Sequence, residues 1–284
     1  MDAATIDGVA AEGWTAWETA LRLGPALLAF VLFSSLESLF PKRPRRLTRT
    51  RRWSGNLSLV VISAFLVKLL VPLPPVAAAL WAAQQGWGLL PWIGLDPHGV
   101  IAFVITLVLF DLAIYGQHVL THHFPPLWRL HRLHHSDTDL DTSSAFRFHP
   151  LEIVLSVFYK TALVLLLGAP ALAVLVFEAL LNASAQFNHA NWALPERADK
   201  ALRQIIVTPD MHRVHHSWTE QETNSNYGFC FPWWDRLFGT YRAAPAEGQD
   251  GMTVGLEGFR DPEENAPWRM IAQPLRTLEP KKDP

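Results

Sequence analysis

Histidine is the residue whose spacing in this sequence promises chemistry. His118 and His122 stand four apart, His131, His134 and His135 follow as H-x-x-H-H, and His212, His215 and His216 repeat that pattern well downstream. On a helix, positions three and four apart share a face with about 5–6 Å between Cβ atoms, so each group can present several imidazoles to one ion. His149, directly before Pro150, and His189 stand where an apolar stretch begins and ends. Ten imidazoles exceed the roughly four to six donors that one ion uses, so the pattern predicts two metals, and neutral imidazole suits iron, zinc, copper or nickel alike. A zinc peptidase would want H-E-x-x-H with the glutamate as base. Here Val119, Arg132 and Arg213 follow the cluster histidines instead, which argues against zinc hydrolysis. The one cysteine, Cys230, excludes an internal disulfide and a cysteine-rich metal site. His123 is turned about 100° from His122 on a helix and is left out of the set.

Asp111, Tyr115, His118 and His122 follow one another at spacings that align them on a single helical stripe. A carboxylate inside a membrane span is costly and usually functional. Asp111, with Tyr115 beside it, is therefore expected either to orient a ligating imidazole through its free N–H or to pair with Lys68 or a neighbouring polar group for structure. Asn182, Gln186 and His189 make a comparable stripe.

The elements that must position these residues are membrane helices. Half of the chain is hydrophobic and 18% is charged, against about 25% charged in an average soluble domain. The apolar residues come in runs: Leu23 to Phe40, Leu57 to about Trp81 with a break near Pro72, Pro74 and Pro75, Val100 to about Tyr115, and Leu151 to about Phe187. A span needs about 20 helical residues, so the last run is too long for one crossing. Gly168-Ala169-Pro170 should fold it into a helical hairpin. Seven basic residues between Lys42 and Arg52 retain the first loop in the cytoplasm, whereas Ala82 to Pro97 has none and lies outside. Counting crossings from there brings every histidine group to the cytoplasmic face and leaves His98 on the other side. The basic run is local, which argues against a nucleic-acid partner.

The expected fold is therefore all-α: an integral membrane bundle of three spans plus a helical hairpin, under a cytoplasmic histidine-rich helical cap. Residues 1–56 comprise the N-terminal segment, the first span and the basic loop, 57–241 the metal-binding membrane domain, and 242–284 a polar, partly disordered tail. Met1 to Glu12 carries acidic and no basic residues, unlike the start of a signal peptide.

Together the motifs resemble the fatty acid hydroxylase/sterol desaturase superfamily. The resemblance rests on D-L-A-I-Y-G-Q-H-V-L-T-H (Asp111 to His122), L-W-R-L-H-R-L-H-H-S (Leu127 to Ser136), R-F-H-P (Arg147 to Pro150), F-N-H-A-N (Phe187 to Asn191), M-H-R-V-H-H-S (Met211 to Ser217), N-Y-G (Asn226 to Gly228) and W-D-R-L-F-G-T-Y (Trp234 to Tyr241). It covers about Leu57 to Tyr241. Val119 departs from it, because many members have Arg after the first histidine.

What the resemblance implies is a pair of iron ions held by His118, His122, His131, His134, His135, His149, His189, His212, His215 and His216, with zinc able to replace iron on purification. It implies O2 as co-substrate, a membrane lipid as substrate, and hydroxylation of an unactivated C–H bond. Electrons would come from a separate cytochrome, ferredoxin or flavoprotein reductase, since the sequence has no G-x-G-x-x-G. The membrane would be the inner or plasma membrane in a bacterium and ER-like in a eukaryote. Desaturation on the same centre is the near alternative. A non-redox metal-binding or metal-transport protein is the alternative of another class, although a transporter wants its ligands near the bilayer midplane.

Overall fold

The computed structural model describes residues 16–277 of the chain, so Met1 to Glu12 and the last seven residues lie outside the description. Among the described residues the fold is all helical. Four stretches are long and apolar enough to cross a membrane: Arg49–Trp92, Val100–His123, Pro150–Leu167 and Ala171–His189. The first apolar run, expected to be a full span, yields a shorter apolar stretch, Leu23–Leu39, within helix α1 (Ala16–Leu39).

The second run starts earlier than its hydropathy suggests. Helix α2 (Arg49–Leu70) begins inside the basic segment, where the Thr48 side chain accepts from Arg51 N at 3.4 Å. It ends at Val71, ahead of the prolines, and α3 (Pro75–Gln85) and the single turn α4 (Leu89–Trp92) follow. Pro75 opens α3 because the first helical position needs no N–H. α5 (Val100–His123) and α6 (Pro125–His135) meet at Phe124, and the prolines at 125 and 126 start the second of them. α7 (Pro150–Leu167) and α8 (Ala171–His189) form the expected hairpin. Its turn requires glycine: Gly168 has φ 63°, and a Cβ there would collide with Trp87 O. Gly88 touches the same turn from the other side, so two glycines let the 86–88 loop close over the hairpin.

The core lies between α3, α5, α7 and α8, where Ala78, Ala79, Phe110, Val164, Val174 and Phe177 pack together. Large apolar side chains face outward along α2, α5 and α7: Val61 is 70% exposed, Val100 77% and Leu166 64%. Such a belt belongs against lipid. α1 lies along α8, and backbone bonds from Lys42 to Asn191 (2.9 Å) and from Ala193 to Phe40 (2.8 Å) tie their ends together.

The basic segment is partly structural rather than a free loop. Arg52 is fully buried and pairs with Asp137 (2.8 Å) and Asp141. Arg45 and Arg49 each lie 3.2 Å from buried Glu37, which also accepts from the backbone N–H groups of Thr142 (2.9 Å) and Asn191 (3.0 Å). These pairs fasten α1 and α2 to the 3-10 turn Thr142–Phe146, whose start is closed by a capping box between Asp141 and Ser144.

The tail also departs from expectation, because residues up to 277 pack on the cap. Met270 joins Leu59 and Leu133 in a buried cluster, and Met252 and Val254 pack with Leu140. Arg132 donates to the carbonyls of Gln273 and Arg276, 2.5 Å each, and Arg147 donates to Asn265 at 2.9 Å. A few spaced apolar anchors and two buried guanidiniums in need of acceptors hold the segment. Its average composition, rich in Pro, Glu and Gly, concealed them.

Candidate metal centre

The helix ends deliver the imidazoles. The last two turns of α5 and of α6 carry His118, His122, His131, His134 and His135. His189 is the last residue of α8. His212 and His215 come from α10 (Pro209–His215), which follows the short α9 (Glu196–Leu202), and His216 caps it. They gather into two adjoining groups: His118, His122, His131, His135 and His215 in one, His134, His189, His212 and His216 in the other. Within each group the ligand atoms all lie within 4.8 Å of one another. The groups touch through His135 and His216, stacked at 4.6 Å between ring centroids, and through His134 and His135.

Hydrogen bonds at Nδ1 decide which nitrogen faces inward. His118 donates from Nδ1 to Tyr227 O (2.7 Å), His215 to Ser225 O (2.7 Å) and His189 to Ala185 O (2.6 Å). A carbonyl can only accept, so Nδ1 carries the proton and Nε2 a lone pair. His131 Nδ1 donates to Glu152 Oε1 at 2.6 Å, so a proton sits on that nitrogen too. His118 Nε2 lies 3.2 Å from His131 Nε2 and 3.0 Å from His215 Nε2. The lone pairs of His118 and His215, aimed at each other, repel unless a cation sits between them. In the other group His189 Nε2, also a lone pair, has His134 at 3.0 Å, His212 at 3.1 Å and His216 at 3.2 Å.

Further buried ring nitrogens have no hydrogen-bond partner among the described residues, including His122 Nε2, both nitrogens of His135, and Nδ1 of His134, His212 and His216. Unpaired buried polar atoms on this scale ask for a ligand. The donor set therefore fits two metal ions, one per group, of a kind that accepts neutral nitrogen. Burial first, and neighbouring histidines next, push His134, His135, His212, His215 and His216 well below the usual histidine range. All five are thus neutral at pH 7, the form that binds metal.

His149 is set apart from both groups. Its Nδ1 accepts from Leu151 N (3.2 Å) as the N-cap of α7, and its Nε2 is 3.2 Å from Ile271 O. With both nitrogens engaged, it caps a helix and stands outside the two imidazole groups. Asp111 takes the structural alternative, with neighbouring polar groups as its partners. It accepts from Trp234 Nε1 (2.8 Å), Cys230 N (3.2 Å) and Phe231 N (3.3 Å), rather than from an imidazole or Lys68. Its role is to anchor the 228–234 loop on α5. Tyr115 bonds Thr240 Oγ1 at 3.0 Å; Thr240 donates to Asp235, which accepts from the Tyr227 and Gly228 amides at 2.8 and 2.9 Å. Tyr115 therefore reaches His118 through Tyr227, by its backbone along this chain and by its ring, which meets both. Gln186 donates to Ala26 O and Asn182 to Glu178 O, so that stripe serves helix packing.

Two contributors escaped the spacing argument. Glu152, 8% exposed, is the carboxylate that orients His131. It lies in an apolar run, and the rule that singled out Asp111 applies to it equally. Asn226 adopts φ 51° and clamps the 224–228 loop through Met211 O, Arg242 O and Arg242 N, at 2.8 to 2.9 Å. Asn is among the residues that tolerate this conformation. The loop carries the carbonyls that hold His118 and His215.

Residues 103–240 match the family model described as fatty acid hydroxylase. The chain is 34% identical over 155 residues to the ornithine lipid hydroxylase OlsE of Rhizobium tropici, covering 55% of this chain and 45% of the relative. It is 30% identical to the alkylglycerol monooxygenase of Homo sapiens (52% of this chain, 32% of the relative). It is 27% identical to the cholesterol 25-hydroxylase of Rattus norvegicus (60% and 56%). The chain thus spans a third to just over half of the length of these relatives. No solved structure matches it.

Proposed function

We propose, from the premise that residues 103–240 are a fatty acid hydroxylase domain, that the chain hydroxylates an unactivated C–H bond of a membrane lipid at a two-iron centre. One observation carries the reading: nine buried imidazoles in two touching groups, with lone-pair nitrogens converging at 3.0 to 3.3 Å. Iron held there would supply the activation of O2 and the abstraction of hydrogen from carbon. The overall change consumes O2, two electrons and two protons, and yields the alcohol and water. The electrons come from a separate carrier that docks on the cytoplasmic side, a sidedness supported by the basic residues at the start of α2.

The chain's own residues bind and orient. The carbonyls of Tyr227, Ser225 and Ala185 and the Glu152 carboxylate fix four rings with Nε2 inward. Burial keeps the remaining imidazoles neutral and excludes water that would compete for the site. Asp235 holds the loop that supplies two of those carbonyls, and Asp111 anchors the 228–234 loop that follows it. The relatives bear the names of hydroxylases and monooxygenases, which favours oxygen insertion over desaturation.

The test is lipid analysis of cells with and without the chain, grown under isotopically labelled O2. One lipid class should gain a single labelled oxygen, and His134→Ala or His215→Ala should abolish the gain. A lipid that loses two hydrogens and gains no oxygen would assign desaturation instead. An unchanged lipid profile, or full activity in either variant, would overturn the proposal.

A further inference from the structure

An apolar cavity of about 210 Å3 lies between α5, α6 and α7, bounded by Gly116, Leu120, Leu127, Leu130, Leu155 and Glu152. It is larger than the roughly 150 Å3 apolar cavity that stays dry and binds benzene. Its rim belongs to the lipid belt: Leu120 is 53% exposed and Leu155 47%, and both sit on membrane-spanning helices. Its inner wall belongs to the metal centre, because the Glu152 that lines it holds His131 Nδ1 at 2.6 Å. At Gly116 the wall is cut away, since a Cβ there would meet nothing within 4 Å. Its few polar groups are mostly occupied elsewhere, although Glu152 Oε2 is buried without a hydrogen-bond partner among the described residues. Tyr159 donates its hydroxyl to Ala113 O at 3.0 Å, and Gln117 accepts from Ser156 at 3.4 Å. Such a space offers a headgroup little to bind, and water even less.

We propose that this cavity binds a segment of one hydrocarbon chain of the lipid substrate, which enters from the bilayer between α5 and α7. Gly116 and Leu155 are the residues that set the shape of chain admitted. The proposal rests on the lipid-oxidation reading. It deepens that reading by placing the chain against the His131 side of the five-histidine group.

The full-length, metal-loaded protein is reconstituted in phosphatidylcholine vesicles that carry a trace of phosphatidylcholine with a diazirine at the end of one acyl chain. Irradiation and peptide mapping then read which side chains are labelled. Leu127 and Leu130, half-buried on α6, should be labelled together with the belt residues Val61 and Leu166. In Gly116→Trp, and independently in Leu155→Trp, labelling of Leu127 and Leu130 should fall about tenfold, equivalent to about 1.4 kcal/mol of chain binding. Belt labelling and metal content should stay at the wild-type level, which shows that the variants fold. Labelling of the belt alone in the wild type, or unchanged labelling at Leu127 and Leu130 in both folded variants, would overturn the cavity assignment. A wild-type chain that oxidises lipid while labelling only the belt would overturn it and leave the oxygenase reading standing.

Discussion

Removing the Glu152 carboxylate should weaken the metal centre without weakening the fold. Its Oε1 accepts from His131 Nδ1 at 2.6 Å, and both side chains are almost wholly buried. A hydrogen bond to a charged group in such surroundings contributes about 1.5–3 kcal/mol. Losing it corresponds to roughly 10- to 100-fold in metal affinity, the range found when partners of ligating histidines are removed. Glu152→Gln keeps a neutral acceptor in place and should lose about half of that free energy, since charge-assisted bonds are roughly twice as strong as neutral ones. The other carboxylate oxygen, Oε2, is buried with no hydrogen-bond partner among the described residues, so the charge is a cost to the apo fold. The thermal midpoint of metal-free Glu152→Gln should therefore equal or exceed that of the wild type. Chelator competition on the zinc-loaded protein reads the affinity, and a melting curve after metal removal reads the fold. An unchanged chelator midpoint in Glu152→Ala would refute the orienting role. Equal losses of midpoint and affinity would reduce Glu152 to packing.

His149→Ala should keep the full complement of metal, because His149 caps α7, and should lower stability by about 1 kcal/mol, as the loss of an N-cap does. Loss of one metal per chain would return His149 to the ligands. Metal-free protein should lose stability as the pH falls below the ordinary histidine value of about 6.5, because the unfolded chain takes up protons there while buried His134, His135, His212, His215 and His216 stay neutral. The slope should approach about 1.4 kcal/mol per pH unit for each such histidine, read as a falling thermal midpoint between about pH 7.5 and about pH 5.5; a flat profile would contradict the burial. Reporters fused at Asp141 and at Ala243 should both read cytoplasmic, and one near Gly86 external. Opposite sides for Asp141 and Ala243 would separate the two H-x-x-H-H groups.

The histidine groups were legible because a ligating helix writes its spacing into the sequence. His118 with His122, His131 with His135, and His212 with His216 each stand one helical turn apart. The hairpin was legible for a related reason, since Gly168 and Pro170 mark a turn that only such residues make. The capping place of His149 is not legible, because a histidine before a proline looks the same in sequence whether it ligates or caps. Asp111 was rightly marked as a costly carboxylate, but its partners, Cys230, Phe231 and Trp234, come from far downstream. The carbonyls that orient His118, His215 and His189 belong to the backbone, so no side chain advertises them. The packing of the segment up to 277 is not legible from average composition, because a handful of anchors such as Met252 and Met270 pins it. Arg52 was counted among loop charges that set orientation. Its burial against Asp137 and Asp141 could not be foreseen before those aspartates were placed.

The central claim is that two metal ions share one chain, one in each group of imidazoles. Elemental analysis of anaerobically purified protein, with chain concentration from amino-acid analysis, tests it most directly. The wild type should carry two transition-metal ions per chain, predominantly iron. His118→Ala with His215→Ala should empty the five-histidine group, and His189→Ala with His212→Ala the other, so each folded double variant should retain one ion. One ion or none in the folded wild type, or two ions retained in both double variants, would contradict the account.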